Sequence, residues 1–233
     1  MRVEFSPDEF KVALATSVVV FGFDGENLKT LVAQKKGQPY EGAWILPSCV
    51  VKADENPEHV AKELLVRATG QTDWLLEKLN VFADPYRNPV GRVVNIAYYC
   101  TVRLDDTLAN NLQREGYSWV PASDVPVLAY DHNEIMEYAR ERLKRRVKRR
   151  PIGFSLLPAE FTLNNIQRLY ECALGKRFDK RNFRRKLLKS QLLIETDHFI
   201  RSSERAKRPS RLYKFNEKKY RTLSLKGYDF VYQ

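Results

Sequence analysis

Cysteine is scarce in this chain of 233 residues: Cys49, Cys100 and Cys172 are an odd number, with no CxxC spacing and no Cys/His clustering. A disulfide framework or a zinc finger is therefore excluded, and the thiols read as reduced. Long apolar runs are missing as well. The longest, Val12 to Phe23, is too short to span a bilayer, and Met1 to Phe10 is mixed in charge with no apolar signal region. The expectation is a soluble, cytoplasmic protein without membrane contact. Internal repeats and Gly/Ser-rich linkers are also absent. At 43% hydrophobic and 12% aromatic residues the chain can bury a core, which excludes disorder; its length suits one large domain or two small ones.

What is abundant is positive charge, and it is unevenly placed. Residues 1 to 130 carry 13 basic and 17 acidic side chains, whereas residues 131 to 233 carry 27 and 12. A net of −4 followed by a net of +15 is expected if the C-terminal part meets a polyanion and the N-terminal part does something else. A merely solvated basic surface is the alternative. The boundary lies at DHNEIMEYARERLKRRVKRR, where Ile135, Met136, Ala139, Leu143 and Val147 repeat at helical spacing and Pro151 ends the run. This predicts a linker helix over 131–149, with domains over 1–150 and 151–233. The cations of its last turns suit a helix C-terminus in any case.

In the basic part, Thr162 can cap a helix whose Leu163, Ile166, Leu169, Tyr170, Ala173 and Leu174 form one apolar face, and Gly175 supplies the stop. Asp179 then caps a second helix, KRNFRRKLLKS. Its Phe183 and Leu187 point inward, while Arg181, Arg184 and Arg185 share another face. Helix, short turn and basic second helix is the helix-turn-helix pattern, with Lys180, Arg181, Asn182, Arg184, Arg185 and Lys189 as the candidate DNA contacts. After it, LLIETD and LYKF read as strands around IRSSERAKRPSR, which holds five basic residues against Glu204. That segment reads as a wing whose Arg205, Lys207, Arg208 and Arg211 follow the phosphate backbone or enter a minor groove.

In the N-terminal part, Val12 to Phe21 and Leu28 to Ala33 read as strands joined at Asp24-Gly25, and RVVNIAYYCTV as another. Asn56 and Pro57 start a helix that ends near Thr69-Gly70. A mixed sheet with packed helices follows, giving an α+β chain. With GAWILPSCVVKADENPEHVAKELLVRATGQ, this arrangement resembles the Nudix hydrolase family, whose loop-helix-loop motif gathers helix carboxylates around Mg²⁺. Anchored on Gly70, that motif sets Cys49 at its first Gly, Glu55 at its first Glu, Glu63 at its Arg, Leu64 at the first helix Glu, and Arg67 and Ala68 at the Glu-Glu pair. Leu, Arg and Ala cannot hold a hard cation, so no metal site, no cofactor and no catalysis are expected there. Val60, Leu64 and Ala68 form a row that suits packing.

A Nudix-like domain followed by a winged helix resembles the Nudix-related transcriptional regulators of the NrtR family, including its sugar-responsive AraR-like members. The resemblance rests on the degenerate box, NPVGRVVNIAYY, YSWVPASDVPVLAYDHNEIMEYAR, PIGFSLLPAEFTLNNIQRLYE and FDKRNFRRKLL. It implies a homodimeric repressor that binds a pseudo-palindromic double-stranded DNA operator and responds to a small effector, ADP-ribose in one group and a pentose such as L-arabinose in the other. A diphosphate held without metal needs cations, for which Lys35, Arg67, Arg87 and Arg92 are candidates, and Tyr40, Trp44 and Tyr86 can stack on a base or sugar. Arg92 stands just before the strand VVNIAYY, and Asp84, Tyr86 and Arg87 occupy the Pro-containing loop that precedes it, so the four are expected to converge on one site; His132 either senses the effector or packs. Two other classes remain open at this stage: an ADP-ribose or nucleotide-sugar hydrolase using carboxylates such as Glu55 and Glu63, and an RNA-binding adaptor.

Overall fold

The computed structural model describes residues 11–72, 74–104, 116–149, 151–201 and 209–224. These fall into two compact units, one drawn from the chain up to Phe21 and from Lys29 to Ala139, the other from Gly22 to Leu28 and from Arg140 onward.

The first unit is built on a seven-stranded sheet. Its strands are β1 (Ala13–Phe23), β2 (Leu28–Gln34), β3 (Trp44–Ile45), β4 (Ser48–Val50), β5 (Glu77–Phe82), β6 (Val93–Arg103) and β7 (Tyr117–Pro121). The main path runs β3-β2-β1-β6-β5, with β4 paired to β1 and β7 to β2. Val18, Val19, Val20 and Phe21 are all fully buried, as an apolar central strand covered on both faces must be. Helix α1 (Pro57–Thr69) covers one face. Asn56 Oδ1 accepts the amides of Glu58 and His59 at 2.9 and 3.3 Å, Pro57 opens the helix, and Gly70 closes it in the left-handed region at φ 64°. Its Ala61, Leu64, Leu65 and Ala68 pack on Val18, Val20, Leu31, Tyr98 and Cys100. The opposite face meets the first turns of α2 (His132–Arg149), where Thr30 Oγ1 reaches Met136 Sδ at 3.8 Å and the rings of Phe82 and Tyr138 meet edge to face.

In the second unit, α3 (Leu163–Leu174) carries a capping box between Thr162 and Asn165 and ends on Gly175 at φ 64°. Helix α4 (Lys180–Lys189) starts where Asp179 Oδ1 accepts the Asn182 amide at 2.8 Å. The turn between them is stapled by Glu171, whose Oε1 accepts from the Phe178 amide and from Gln167 Nε2, both at 3.0 Å. Strands β8 (Leu193–Ile200) and β9 (Ser210–Phe215) pair antiparallel, with a register irregularity between Glu195 and Phe199. Phe161 joins this ribbon by a two-way backbone bridge to Tyr213. Helix α5 (Glu217–Ser224) follows. The hairpin strands extend beyond LLIETD and LYKF, to Ile200 and back to Ser210. No described helix is long and apolar enough to cross a membrane.

Candidate functional site

A cavity of about 470 Å³ opens on the first unit, in the size range of small-molecule sites. Its floor is sheet: Asn95 on β6 is almost fully buried, and its Nδ2 donates to Ser17 Oγ at 2.8 Å. Its walls are Cys49 on β4, Leu64 and Arg67 on α1, Tyr117 on β7, Tyr130 and His132. Its rim carries Lys35 and Lys36, just beyond β2. Burial raises the Cys49 thiol above the usual cysteine value, with the nearby Arg67 charge pulling the other way.

Four of the nine residues expected at an effector site line this cavity: Lys35, Arg67, Arg87 and His132. Lys35 Nζ is fixed by the carbonyls of Lys36 and Gly37 at 2.8 and 3.1 Å. Arg87 makes a two-pronged pair with Asp131, Nε to Oδ2 at 2.8 Å and Nη2 to Oδ1 at 2.6 Å, and its side chain is 4% exposed. His132 Nδ1 accepts the Leu46 amide at 3.1 Å. The Nε2 nitrogen therefore carries the proton of the neutral ring, and burial lowers its pKa to about 4. Tyr40 stands one ring away, edge to face on Tyr130 with centroids 5.0 Å apart. Both tyrosines hold positive φ, 66° and 59°, an uncommon backbone state that collects at binding sites.

The other four do not line the cavity. Trp44 pairs β3 with β2 and gives its carbonyl to Ala129. Asp84 turns inward on its own loop, accepting the Tyr86 amide at 2.7 Å. Tyr86 is 91% exposed, and Arg92 donates to the Ala83 carbonyl at 2.6 Å. Lys36, Asn95, Tyr117 and Tyr130 line it without having been singled out in the sequence. Only Asn95 left a signal there, as a lone amide inside an apolar strand.

The acidic groups of α1 and of the loop before it are already occupied. Glu55 holds Lys52, Glu58 holds Lys62 and Glu63 lies 3.3 Å from His59. Among the described residues no three of His, Cys, Asp and Glu gather as a metal set. The face of α1 toward the cavity offers Leu64 and Arg67, a donor set that does not fit the Mg²⁺ of a Nudix hydrolase.

On the second unit, Lys180, Arg181, Asn182, Arg185 and Lys189 are exposed along α4. Arg185 Nη2 donates to Asn182 Oδ1 at 3.0 Å, which orders both heads one turn apart. Arg184 differs from its neighbours: it is half-buried, and its Nε is buried without a hydrogen-bond partner among the described residues. Phe183 and Leu187 turn inward, with Phe183 against Tyr170 and Phe178. Arg211 pairs with Glu195 and lies over the Phe199 ring, 5.3 Å from its centroid. Arg205, Lys207 and Arg208 lie outside the described residues. Such a row of exposed cations suits phosphate contact, so replacing Arg181 and Arg185 together with Ala is expected to flatten log affinity against log salt by about 1.8 on duplex DNA. Filter binding across a salt series reads it; an unchanged slope places α4 away from the phosphates.

Residues 153–215 match the NrtR DNA-binding winged helix domain. The chain is 28% identical over 245 residues to the ADPR responsive transcriptional repressor NtrR of Acinetobacter baylyi, covering 99% of this chain and 94% of that protein. It is 27% identical to Shewanella oneidensis NrtR solved with a 27mer DNA, with a TM-score of 0.75 over 89% of this chain and 95% of that one. It is also 27% identical to the NUDIX domain of the same protein solved with ADP ribose, with a TM-score of 0.50 over 60% of this chain and 94% of that one.

Proposed function

From the premise that this chain is a Nudix-related regulator of the NrtR family, we propose that it is a transcriptional repressor that reads ADP-ribose. In this reading residues 151–233 hold operator DNA, through Lys180, Arg181, Asn182, Arg184, Arg185 and Lys189 on α4 and the basic wing. Residues 1–150, with the linker helix over 131–149, bind the effector without hydrolysing it. The protein acts as a cytoplasmic homodimer. The observation that carries the reading is one chain holding both an exposed cationic second helix and a nucleotide-sized cavity with no carboxylate on its walls among the described residues.

The separation of tasks follows from chemistry. Hydrolysis of a diphosphate needs an activated water and a cation to take up the developing charge; neither Leu64 nor Arg67 supplies a metal ligand or a general base. Binding needs only complementary charge and shape. An effector then controls DNA binding only through different affinities for two arrangements of the protein, and helix α2 is one covalent route between its two parts.

The test is calorimetry of the full chain with ADP-ribose and, separately, L-arabinose, alone and with a duplex selected from genomic fragments. Saturable ADP-ribose binding that shifts affinity for the duplex is expected. Release of AMP and ribose 5-phosphate in the presence of Mg²⁺, or equal affinity for the selected duplex and random DNA, overturns the reading.

A further inference from the structure

We propose that Arg168 is a positioning residue through which the turn between β1 and β2 acts on the DNA-binding helices. The proposal takes the regulator reading above as its premise and gives effector control a second route beside helix α2.

The turn is built locally. Asp24 Oδ1 accepts the amides of Glu26 and Asn27 at 3.0 and 2.7 Å, the Asp24 amide donates to the Asn27 carbonyl at 3.3 Å, and Gly25 takes φ 99°, which a side chain would resist. Strands β1 and β2 are part of the first unit's sheet, yet the residues that join them, Gly22–Leu28, belong to the second unit. Their partners there are on α3. Arg168 Nε donates to the Glu26 carbonyl at 2.8 Å, Cys172 Sγ approaches the same oxygen at 3.4 Å, and Asn165 Nδ2 reaches the Gly25 carbonyl at 3.5 Å. The approach is close enough that a Cβ added at Gly25 would stand 3.7 Å from Asn165 Nδ2. Positions 165, 168 and 172 are three and four residues apart and share one stripe of the helix, beside the stripe that Ile166, Leu169, Tyr170 and Ala173 bury. Three donors from one stripe meeting two consecutive carbonyls make a fitted contact. Arg168 contributes most to it, because its donor is charged and its bond the shortest of the three.

Arg168 also faces the recognition helix. Its Nη1 lies 4.0 Å from Glu171 Oε2, and the other oxygen of that carboxylate accepts the Phe178 amide, immediately before Asp179 caps α4. One guanidinium therefore ties the turn to the group that fixes the approach to the cationic helix. In the other direction the chain leads to the cavity: Ala15 of β1 and Ala33 and Gln34 of β2 line it. Between turn and cavity both strands are buried, as Val18, Val20, Leu31 and Val32 show, and a close-packed interior passes a displacement on instead of absorbing it. A ligand that shifts the strands at the cavity then shifts the carbonyls that Arg168 holds, and a duplex that fixes α4 acts back along the same path.

Gel-shift titration of the full chain on the selected duplex, with and without ADP-ribose and across a salt series, tests this in the parent, Arg168→Ala and Arg168→Lys. In the parent ADP-ribose should change duplex affinity by about 5- to 150-fold, the usual range for two coupled sites. Arg168→Ala should bring that factor to about twofold or less, and Arg168→Lys should recover part of it. The slope of log affinity against log salt should stay that of the parent, whereas a lost phosphate contact would flatten it by about 0.9. Hydrogen exchange of the peptide over 22–28, measured without ADP-ribose or DNA, reads the contact itself and should be severalfold faster in Arg168→Ala. Because Arg168 is exposed, the variants should melt close to the parent chain, which separates lost coupling from lost folding. Full coupling in Arg168→Ala, a flattened salt slope or unchanged exchange of the turn overturns the proposal and leaves the regulator reading standing. A parent chain whose duplex affinity ignores ADP-ribose overturns the regulator reading, and the proposal with it.

Discussion

Replacing Arg87 with Met is expected to destabilise the first unit by about 3–5 kcal/mol, lowering the melting temperature on the order of 10 °C. The size of the effect comes from what is left behind. Arg87 and Asp131 are 4% and 12% exposed at their side chains, and their two parallel hydrogen bonds, at 2.6 and 2.8 Å, satisfy a carboxylate that water scarcely reaches. Without the guanidinium, the Asp131 carboxylate is left without its partner in a poorly solvated place, which costs free energy. Arg87→Lys keeps the charge but loses the fork, so it should recover only part of the loss. The double variant Arg87→Met with Asp131→Leu removes both charges and should regain most of the stability. Urea unfolding of the four proteins gives the coupling between the two residues; a coupling below about 1 kcal/mol would mean that the pair is incidental.

The pair also explains which parts of the cavity were legible beforehand. Local signals carried their elements: Asn56 and Pro57 before α1, Gly70 after it, Thr162 and Gly175 around α3, and Asp179 before α4 all act within a few residues of the backbone groups they satisfy. The apolar, β-branched and aromatic runs of β1 and β6 are equally plain in the sequence. Strands β3, β4 and β7 left no comparable trace, because two to five residues with intermediate burial are defined by partners far along the chain, as Leu31 opposite Trp119 illustrates. The candidate site followed the same rule. Asp84, Tyr86 and Arg87 share a Pro-containing loop and Arg92 stands just before the strand that follows it, but residues so close in sequence point in different directions. Arg87 is drawn to the cavity by Asp131, 44 residues away, while Arg92 turns to Ala83 and Tyr86 to solvent. On α4, the i, i+3, i+4 spacing placed Arg181, Arg184 and Arg185 together. A helix face is about 100° wide, and Arg184 falls at its inner edge, where its Nε is buried.

Acid should destabilise the protein through His132. The ring is 4% exposed, and Nδ1 accepts the Leu46 amide, which only the neutral form can do. Its pKa in the folded protein is about 4, lowered chiefly by burial, against the ordinary value of 6.5. Between those values the unfolded chain binds a proton that the folded one refuses, so stability is complete above pH 6.5 and falls as the pH drops toward 4. The loss through this one group is about 3 kcal/mol. His132→Asn keeps an acceptor of similar reach without a titrating ring. Its stability should be lower than that of the parent chain at neutral pH, and it should lack this part of the acid slope. The same chemistry bears on effector control. A ring that stays neutral above pH 6 adds no charge to the cavity it lines, so effector affinity measured by calorimetry should be flat between pH 6 and pH 8. An affinity that rises severalfold on going from pH 8 to pH 6 would mean that His132 protonates when ligand enters, and that the Leu46 amide is released in the bound state.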